Sequence, residues 1–283
     1  MKQIILGDNL EVLRGLPDKF AQLIIVDPPY GIGHSQKRTR IKSTAVESGK
    51  GDRIGFGGKD YISEKLDSSN IYYEDKSDNF EEFLIPRIEA SLHCLTDDGS
   101  FFVFLDDRQD AYVRVAIDKM FGNRDHFIQT LVWNWDFGAR SKTQWSRKHN
   151  SIHWFCMNRK NYVFNYDAMD RIPYMSGKGL VSEEKLKIGK TPTSCWFHTI
   201  IGTNSKERQD TGMYPSAKPI GIIDRLVKVH SNPNDIVLDY FAGSGTTGAS
   251  AEKNGRGYCL IDSNPDAVKI MKARLPTAQC IGF

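Results

Sequence analysis

Short apolar runs alternate along this chain with longer segments in which apolar residues recur every three or four positions. Runs such as 23–26 and 101–105 predict buried strands, and the periodic segments predict amphipathic helices. Alternation of this kind is typical of an α/β sheet whose parallel strands are joined by crossover helices. The pattern therefore predicts an α/β fold.

The same pattern places the individual elements. The predicted strands are residues 4–6, 23–26, 101–105, 127–135, 152–157, 236–240 and 257–261. The predicted helices are 8–16, 79–95, 113–120, one opened by Pro219, one beginning at Ser244, and 265–275. Asp97-Asp98-Gly99 is expected to form the turn that ends the helix 79–95.

Two segments interrupt the alternation. Residues 31–76 are rich in glycine, serine and charge, with few apolar side chains to bury, so they predict a structureless, mobile loop or a functional lid. Residues 161–212 have no clear period and are expected to form an inserted subdomain or a set of long loops.

A glycine-rich turn follows the strand 236–240 and consists of Phe241-Ala242-Gly243-Ser244-Gly245-Thr246. Asp262 ends the next strand about twenty residues later, the offset of an acid that accepts ribose hydroxyls, so the pair indicates a nucleoside cofactor. A plain strand–turn–helix corner is the alternative. The spacing is neither G-x-G-x-x-G nor that of a phosphate loop, which favours S-adenosylmethionine over a pyrophosphate, with Asp239 facing its ammonium group.

A second turn, Asp27-Pro28-Pro29-Tyr30, follows the apolar run 23–26. Consecutive prolines fix the backbone, so a carbonyl in this turn is aimed before any substrate arrives. The alternative is a simple turn in which Asp27 is a solvated cap and Tyr30 packs at a rim.

Together, and in this order along the chain, the two turns resemble those of the beta group of DNA adenine-N6 and cytosine-N4 methyltransferases. The resemblance extends over nearly the whole chain. It implies a Rossmann-like methyltransferase sheet, circularly permuted so that the catalytic strand precedes the cofactor strand. It also implies a catalytic and cofactor-binding domain of residues 1–160 and 213–283, with 31–76 as a mobile DNA-facing loop and 161–212 as an inserted target-recognition region.

The resemblance assigns the catalytic turn a role on the target base. An exocyclic amino nitrogen is a poor nucleophile because its lone pair is conjugated into the ring. The Asp27 carboxylate and the Pro28 carbonyl would accept hydrogen bonds from its two protons, and Pro29 would help to fix that geometry. Tyr30 would stack on the base, which must leave the double helix to enter the site.

The resemblance also implies cofactor contacts outside the glycine-rich turn. Asp8, in Gly7-Asp8-Asn9, would pair with the adenine amino group of S-adenosylmethionine. Lys218, in the run Tyr214 to Pro219, would lie near the cofactor carboxylate. The family often has glutamate where Asp262 stands, so Asp262 must reach farther for the ribose.

Several activities compete at such a site. Adenine N6 is favoured over cytosine N4 because the leading residue of the catalytic turn is aspartate, by family resemblance. Cytosine C5 is disfavoured because no Pro-Cys pair supplies the thiolate which that route needs. RNA and protein-glutamine methyltransferases can share such a turn, but they resemble chains in which the cofactor turn comes first, which is the opposite of the order here. A non-catalytic partner subunit would be expected to lose Asp27 or the glycines, and this chain keeps both.

Composition adds few constraints. The net charge of +3 and a pI near 8.5 permit a nucleic-acid partner without requiring one. Five scattered cysteines predict reduced thiols and no metal site, and the amino terminus lacks a leader pattern, so a cytoplasmic protein is expected. The five tryptophans are expected in the core and in groove walls. A homodimer and a cognate restriction endonuclease remain open as partners.

Overall fold

The computed structural model describes residues 1–30, 36–37, 41–54, 58–65, 72–73, 79–138, 140–175, 179, 181–202 and 205–282. Within these residues the chain forms the strands β1 (Lys2–Leu6), β2 (Ala21–Val26), β3 (Gln36–Lys37), β4 (Ile41–Val46), β5 (Arg53–Ile54), β6 (Asp60–Lys65), β7 (Tyr72–Tyr73), β8 (Leu95–Leu105), β9 (Phe127–Asn134), β10 (His149–Cys156), β11 (Cys195–Phe197), β12 (Ile236–Asp239), β13 (Gly257–Asp262) and β14 (Gln279–Ile281).

The helices of the same residues connect these strands. They are α1 (Asn9–Arg14), α2 (Phe80–Leu92), α3 (Asp110–Phe121), α4 (Glu183–Ile188), α5 (Lys206–Asp210), α6 (Ile220–His230), α7 (Thr246–Lys253) and α8 (Pro265–Arg274), with a short 3₁₀ turn at Tyr166–Ala168. No helix in the described part of the chain is long and apolar enough to cross a membrane.

One large sheet organises the molecule, with the strand order β11-β9-β10-β8-β2-β12-β13-β1-β14. Every neighbouring pair is parallel except the two pairs that β10 makes with β8 and β9, which are antiparallel. The predicted α/β fold is confirmed, and β2, the strand before Asp27, lies beside β12, the strand before the glycine-rich turn.

The contact between β2 and β12 is a topological switch point. From β2 the chain passes through α2 to β8 on one side, whereas from β12 it passes through α7 to β13 on the other. Connections that leave in opposite directions open a crevice at the carboxyl ends of the two strands, where α/β sheets bind ligands. Both sequence motifs lie at that crevice.

The core has two layers, one on each face of the sheet. Leu23 and Ile25 of β2 pack in the layer that contains α6, whereas Ile24 and Val26 pack in the layer that contains α2. Because successive side chains of a strand point to opposite faces, a strand covered on both sides appears in the sequence as an uninterrupted apolar run.

The region after α2 differs from the prediction. The helix ends at Leu92, and Asp97-Asp98-Gly99, expected to be a turn, lies inside β8. Between the pairs Ala21–Leu95 and Leu23–Ser100, β8 contains three more residues than β2, so it bulges. The side chain of Gln22 donates to the Asp98 carbonyl at 3.0 Å, which supplies that bulged backbone with a hydrogen-bond partner.

The segment 31–76 is only partly described, and Arg38 and Arg40, candidates for its DNA-facing surface, lie outside the described residues. Its described parts contain a three-stranded antiparallel sheet in the order β4-β6-β5. The expectation of a structureless segment is therefore wrong for these strands, which pair mainly with one another. A role in DNA binding stays a prediction.

The segment 161–212 is joined to the main sheet as well as carrying loops. Its strand β11 pairs with β9 at the sheet edge. The amide of Asn165 donates to the carbonyls of Lys228 and Ser231 at 3.2 and 2.9 Å, at the end of α6. An isolated antiparallel bridge between Ile172 and Lys190 closes the base of the loop between them.

Candidate active site

A cavity of about 650 Å³ opens at the carboxyl ends of β2, β12 and β13. Every predicted site residue except Gly245 lines it, including Asp8 and Lys218, which are far from either turn in sequence. Gly245 instead packs beside α8, where a Cβ would lie 2.8 Å from Met271 Cγ. The structure thus gathers the two motifs around one space.

Asp27 begins the catalytic turn, and each of its carboxylate oxygens has a hydrogen-bond partner. The Tyr30 hydroxyl donates to Oδ1 at 2.7 Å, and Lys218 Nζ forms an ion pair with Oδ2. A carboxylate has about four lone-pair positions, so these two contacts leave acceptor capacity for a further N–H donor. Lys218 lies just before α6, and its pairing with Asp27 is a contact that the sequence did not predict.

Two residues that the sequence did not single out fix Tyr30. Gln109, just before α3, donates from Nε2 to the Tyr30 carbonyl at 3.2 Å. Asn150, on β10, donates from Nδ2 to the Tyr30 hydroxyl at 3.4 Å and to the Leu105 carbonyl at 3.1 Å. Neither belongs to a recognisable motif, so only the fold reveals them.

Asp239 ends β12 as a buried carboxylate, with 5% of the residue exposed. Its oxygens accept from the Phe241 backbone N–H at 3.0 Å and from the Thr247 hydroxyl at 2.7 Å. Burial raises the pKa of Asp239 to about 7, and the nearby charges of Asp27 and Asp262 add to that rise. A cation placed beside Asp239 would relieve this cost.

The glycine-rich turn is tied to the end of β13 through Asp262. Gly243 has a φ of +51° and donates its N–H to Asp262 Oδ2 at 2.8 Å, while Oδ1 accepts from the Asn264 N–H at 2.8 Å. Burial raises the pKa of Asp262. A Cβ on Gly243 would lie 3.0 Å from the Tyr214 ring, so the turn leaves no room for a side chain there.

Asp8 also lines the cavity, close to the end of β13, and caps α1. Its Oδ1 accepts from the Leu10 N–H at 2.9 Å, and its Oδ2 pairs with Arg87 at 3.1 Å. The Arg87 guanidinium also lies over the Phe83 ring, 4.0 Å from its centre. Arg87 and Phe83 lie one turn apart on α2 and both line the cavity, although the sequence did not single them out.

The tryptophans divide into two groups. Trp133, Trp154 and Trp196 are buried, and Trp135 packs partly buried against the same core layer. Trp145 was expected in the core or a groove wall, and this is wrong, because 97% of it is exposed. It lies in the loop between β9 and β10.

Comparison with known proteins places this chain in one family. The model of the N6/N4 methyltransferase family, described as DNA methylase, matches residues 21–273. Two similar proteins are DNA adenine methyltransferase YhdJ of Escherichia coli K12, 27% identical over 98% of this chain and 83% of its own length, and type II methyltransferase M.ScaI of Streptomyces caespitosus, 25% identical over 95% and 79%.

Solved structures show the same fold. PvuII DNA methyltransferase, named cytosine-N4-specific, superposes with a TM-score of 0.66 at 14% identity, covering 98% of this chain and 93% of its own. The M1.HpyAVI–SAM complex superposes with a TM-score of 0.58 at 17% identity, covering 97% and 99%. Because the family match spans most of the chain, both motifs included, this protein belongs to the DNA methylase family.

Proposed function

We propose that this DNA methylase transfers a methyl group from S-adenosylmethionine to N6 of an adenine that has been extruded from double-stranded DNA. The observation that carries the proposal is that Asp27-Pro28-Pro29-Tyr30 and the turn at Phe241–Thr246 line one cavity. One motif supplies acceptors for an amino group, and the other suits a nucleoside that has no phosphates. If the two motifs were purely structural turns, nothing would require them to line the same cavity.

The cavity suits the proposed cofactor. Its volume of about 650 Å³ lies within the usual range for small-molecule sites. Asp239 offers a buried carboxylate to an ammonium group, and Gly243 lies in the cavity wall with its N–H held by Asp262. Asp262 would accept from ribose hydroxyls through lone pairs not used by its two backbone donors, and Asp8 would accept from the adenine amino group.

The chemistry follows from the acceptors of the catalytic turn. When bound, S-adenosylmethionine supplies a methyl group on a positively charged sulfur, which leaves as a neutral thioether. Asp27 and the Pro28 carbonyl would accept hydrogen bonds from the two amino protons and so make the nitrogen lone pair available for attack. Asp27 then takes the proton that the methylated nitrogen releases, and Tyr30 stacks on the base to hold it in place.

Lys218 has a part in this arrangement that differs from a cofactor contact alone. Its Nζ pairs with Asp27 and lies 5.5 Å from the centre of the Tyr30 ring and 5.8 Å from that of Phe104. The ammonium therefore lies against the catalytic turn, and Lys218 lines the same cavity as the glycine-rich turn. We infer that it orients Asp27 before substrate binds, in addition to any contact with the cofactor carboxylate.

The target base is the finer part of the proposal. YhdJ is named an adenine enzyme and PvuII methyltransferase a cytosine-N4 enzyme, so both chemistries occur among similar proteins. Incubating the purified protein with radiolabelled S-adenosylmethionine and DNA, followed by nucleoside chromatography, distinguishes them. Label in N6-methyladenine supports the proposal. Label in N4-methylcytosine would show that the target base is cytosine and not adenine, and unlabelled DNA would reject the proposed function.

Cofactor affinity is expected to depend on pH through Asp239. Because its pKa is raised to about 7, the carboxylate is mostly protonated below that pH and loses its attraction for an ammonium group. Affinity should therefore rise with pH up to about 7, by at most about tenfold per unit, and then level off. Calorimetric titrations from pH 5.5 to 8.5 measure this effect.

An Asp239→Asn variant is the control for that prediction. It keeps the shape of the side chain but cannot ionise, so its affinity should be low and nearly independent of pH. A variant with the same rise as wild type would assign the titration to another group, of which Asp262 is the nearest candidate.

Sequence recognition is proposed to reside in residues 161–212. The bridge between Ile172 and Lys190 allows a sharper test than exchanging the whole segment, because it leaves β11 and Asn165 in place. Replacing residues 173–189 by the corresponding loop of a related enzyme should transfer that enzyme's recognition sequence. An active hybrid that still modifies the original sequence would place recognition elsewhere.

The remaining partners follow from the same proposal. M.ScaI is named a type II methyltransferase, and we extend that role to this chain as a prediction that it protects DNA from a cognate endonuclease. We also propose that it works in the cytoplasm, together with its DNA substrate. A homodimer stays an open prediction.

A further inference from the structure

The loop of residues 135–148, which joins β9 to β10, carries the most exposed tryptophan of the described chain. Trp145 is 97% exposed, and Phe137 in the same loop is 58% exposed. Ala139 alone among these residues lies outside the described part. A large indole left in water is unusual, because tryptophan generally buries most of its surface.

This loop follows the carboxyl end of β9, on the same side of the sheet as the catalytic turn at the carboxyl end of β2. β9 is antiparallel to β10, β10 is antiparallel to β8, and β8 is parallel to β2, so β9 and β2 end on the same side. Arg147 pairs with Asp107, just after β8, at 2.8 Å. Asn150, five positions after Trp145, contacts the Tyr30 hydroxyl.

The loop is folded by its own hydrogen bonds. The Ser141 N–H donates to the Ser146 hydroxyl oxygen at 2.8 Å, and the Ser141 hydroxyl oxygen accepts from the N–H groups of Thr143 and Gln144 at 3.2 Å. Lys148 Nζ donates to the Phe137 carbonyl at 2.8 Å. These contacts fix the backbone around Trp145, so the indole is presented on an ordered loop.

Charge on the loop favours a polyanion. Residues 135–148 contain Arg140, Lys142, Arg147 and Lys148 against a single acid, Asp136, which gives +3, as large as the formal charge of the whole chain. Arg140 pairs with Asp136 and Arg147 with Asp107. Lys142 has no ion pair among the described residues and extends its charge into solvent.

We propose that loop 135–148 binds DNA beside the extruded base, with Trp145 stacked on a nucleobase of the remaining helix and Lys142 paired with a phosphate. The inference rests on the proposed function, because an extruded base leaves an unstacked neighbour close to the catalytic turn. A flat aromatic ring on a basic loop is the combination that binds unstacked bases regardless of their sequence.

The test uses the purified full-length protein and a duplex carrying the sequence that wild type methylates. Trp145→Leu removes the flat ring but keeps apolar bulk, and should weaken duplex binding roughly 5- to 150-fold, the range for stacking on one base. Trp145→Phe, which keeps a flat aromatic ring, should retain most of the wild-type duplex affinity. Calorimetric affinity for S-adenosylmethionine should stay at the wild-type value in both.

The proposed contact of Lys142 with a phosphate is tested by a second variant and a matched control. Lys142→Gln should reduce the slope of log affinity against log salt concentration by about one. Lys19→Gln removes the same charge near the amino end of β2, on the side of the sheet away from the catalytic turn, where Lys19 pairs with the exposed Asp97. This variant should leave the slope unchanged.

Wild-type duplex affinity in both Trp145→Leu and Lys142→Gln would overturn the inference. If sedimentation also shows an altered oligomeric state in these variants, the loop is a protein interface. This result leaves the proposed function standing if wild type still methylates the duplex, whereas a wild type that methylates no DNA rejects the function itself.

Discussion

Asp27→Ala is expected to abolish methyl transfer, with a rate at least ~10²–10³-fold lower, while affinity for S-adenosylmethionine stays nearly unchanged. The reason is that the Asp27 carboxylate is assigned to the target amino group and not to the cofactor. The substitution also leaves Lys218 without its partner, and this side chain is only 10% exposed. An Asp27→Asn variant, which keeps the volume of the side chain, separates lost chemistry from a disturbed fold.

The measurement combines a tritium-transfer assay with calorimetric titration of the cofactor. Asp97→Ala is the matched control, because 81% of this side chain is exposed and its one ion pair in the described part of the chain is with the exposed Lys19. We expect the control to behave as wild type in both assays. Transfer at the wild-type rate by Asp27→Ala would sink the catalytic assignment.

Gly243→Val is expected to lose cofactor binding, by at least about tenfold in affinity. The residue has a φ of +51°, which a β-branched side chain adopts only with strain. Its Cβ would also press on the Tyr214 ring at 3.0 Å, and Tyr214 lines the cavity. The substitution therefore distorts the turn that the cofactor is proposed to contact.

Gly255→Val is the control that separates backbone strain from the site. Gly255 has a similar φ of +74°, but nothing lies within 4 Å of its Cβ position. It follows α7 and is not part of the cavity wall. We expect it to lower thermal stability while cofactor affinity stays at the wild-type value. Equal losses of affinity in the two variants would mean that Gly243 acts only through folding.

The sheet that places the motifs could be predicted because its central strands are covered on both faces. The runs before Asp27 and Asp239 are continuous apolar stretches for that reason, and their turns mark the carboxyl ends where ligands bind. Edge strands have no such signal. β11 and β14 are only three residues long and partly exposed, so neither was predicted.

Side-chain contacts were the part that could not be predicted. The pair of Lys218 with Asp27 joins residues 191 positions apart in sequence, and Asn150 reaches Tyr30 across 120 positions. Such contacts depend on strand order and on where α6 begins, neither of which follows from local periodicity. The exposure of Trp145 was missed for a related reason, because composition favours burial of tryptophan and only the loop shows otherwise.

Methylation-aware sequencing of DNA from cells that express the protein is the sharpest test of methyl transfer to adenine N6, because it reports the base, the atom and the sequence context together. We expect N6-methyladenine at one recurring sequence with wild type, and none there with Asp27→Ala. An expressed, folded wild-type protein that leaves the DNA unmodified would refute the proposed function, and an Asp27→Ala variant that modifies DNA as wild type does would refute the role of Asp27.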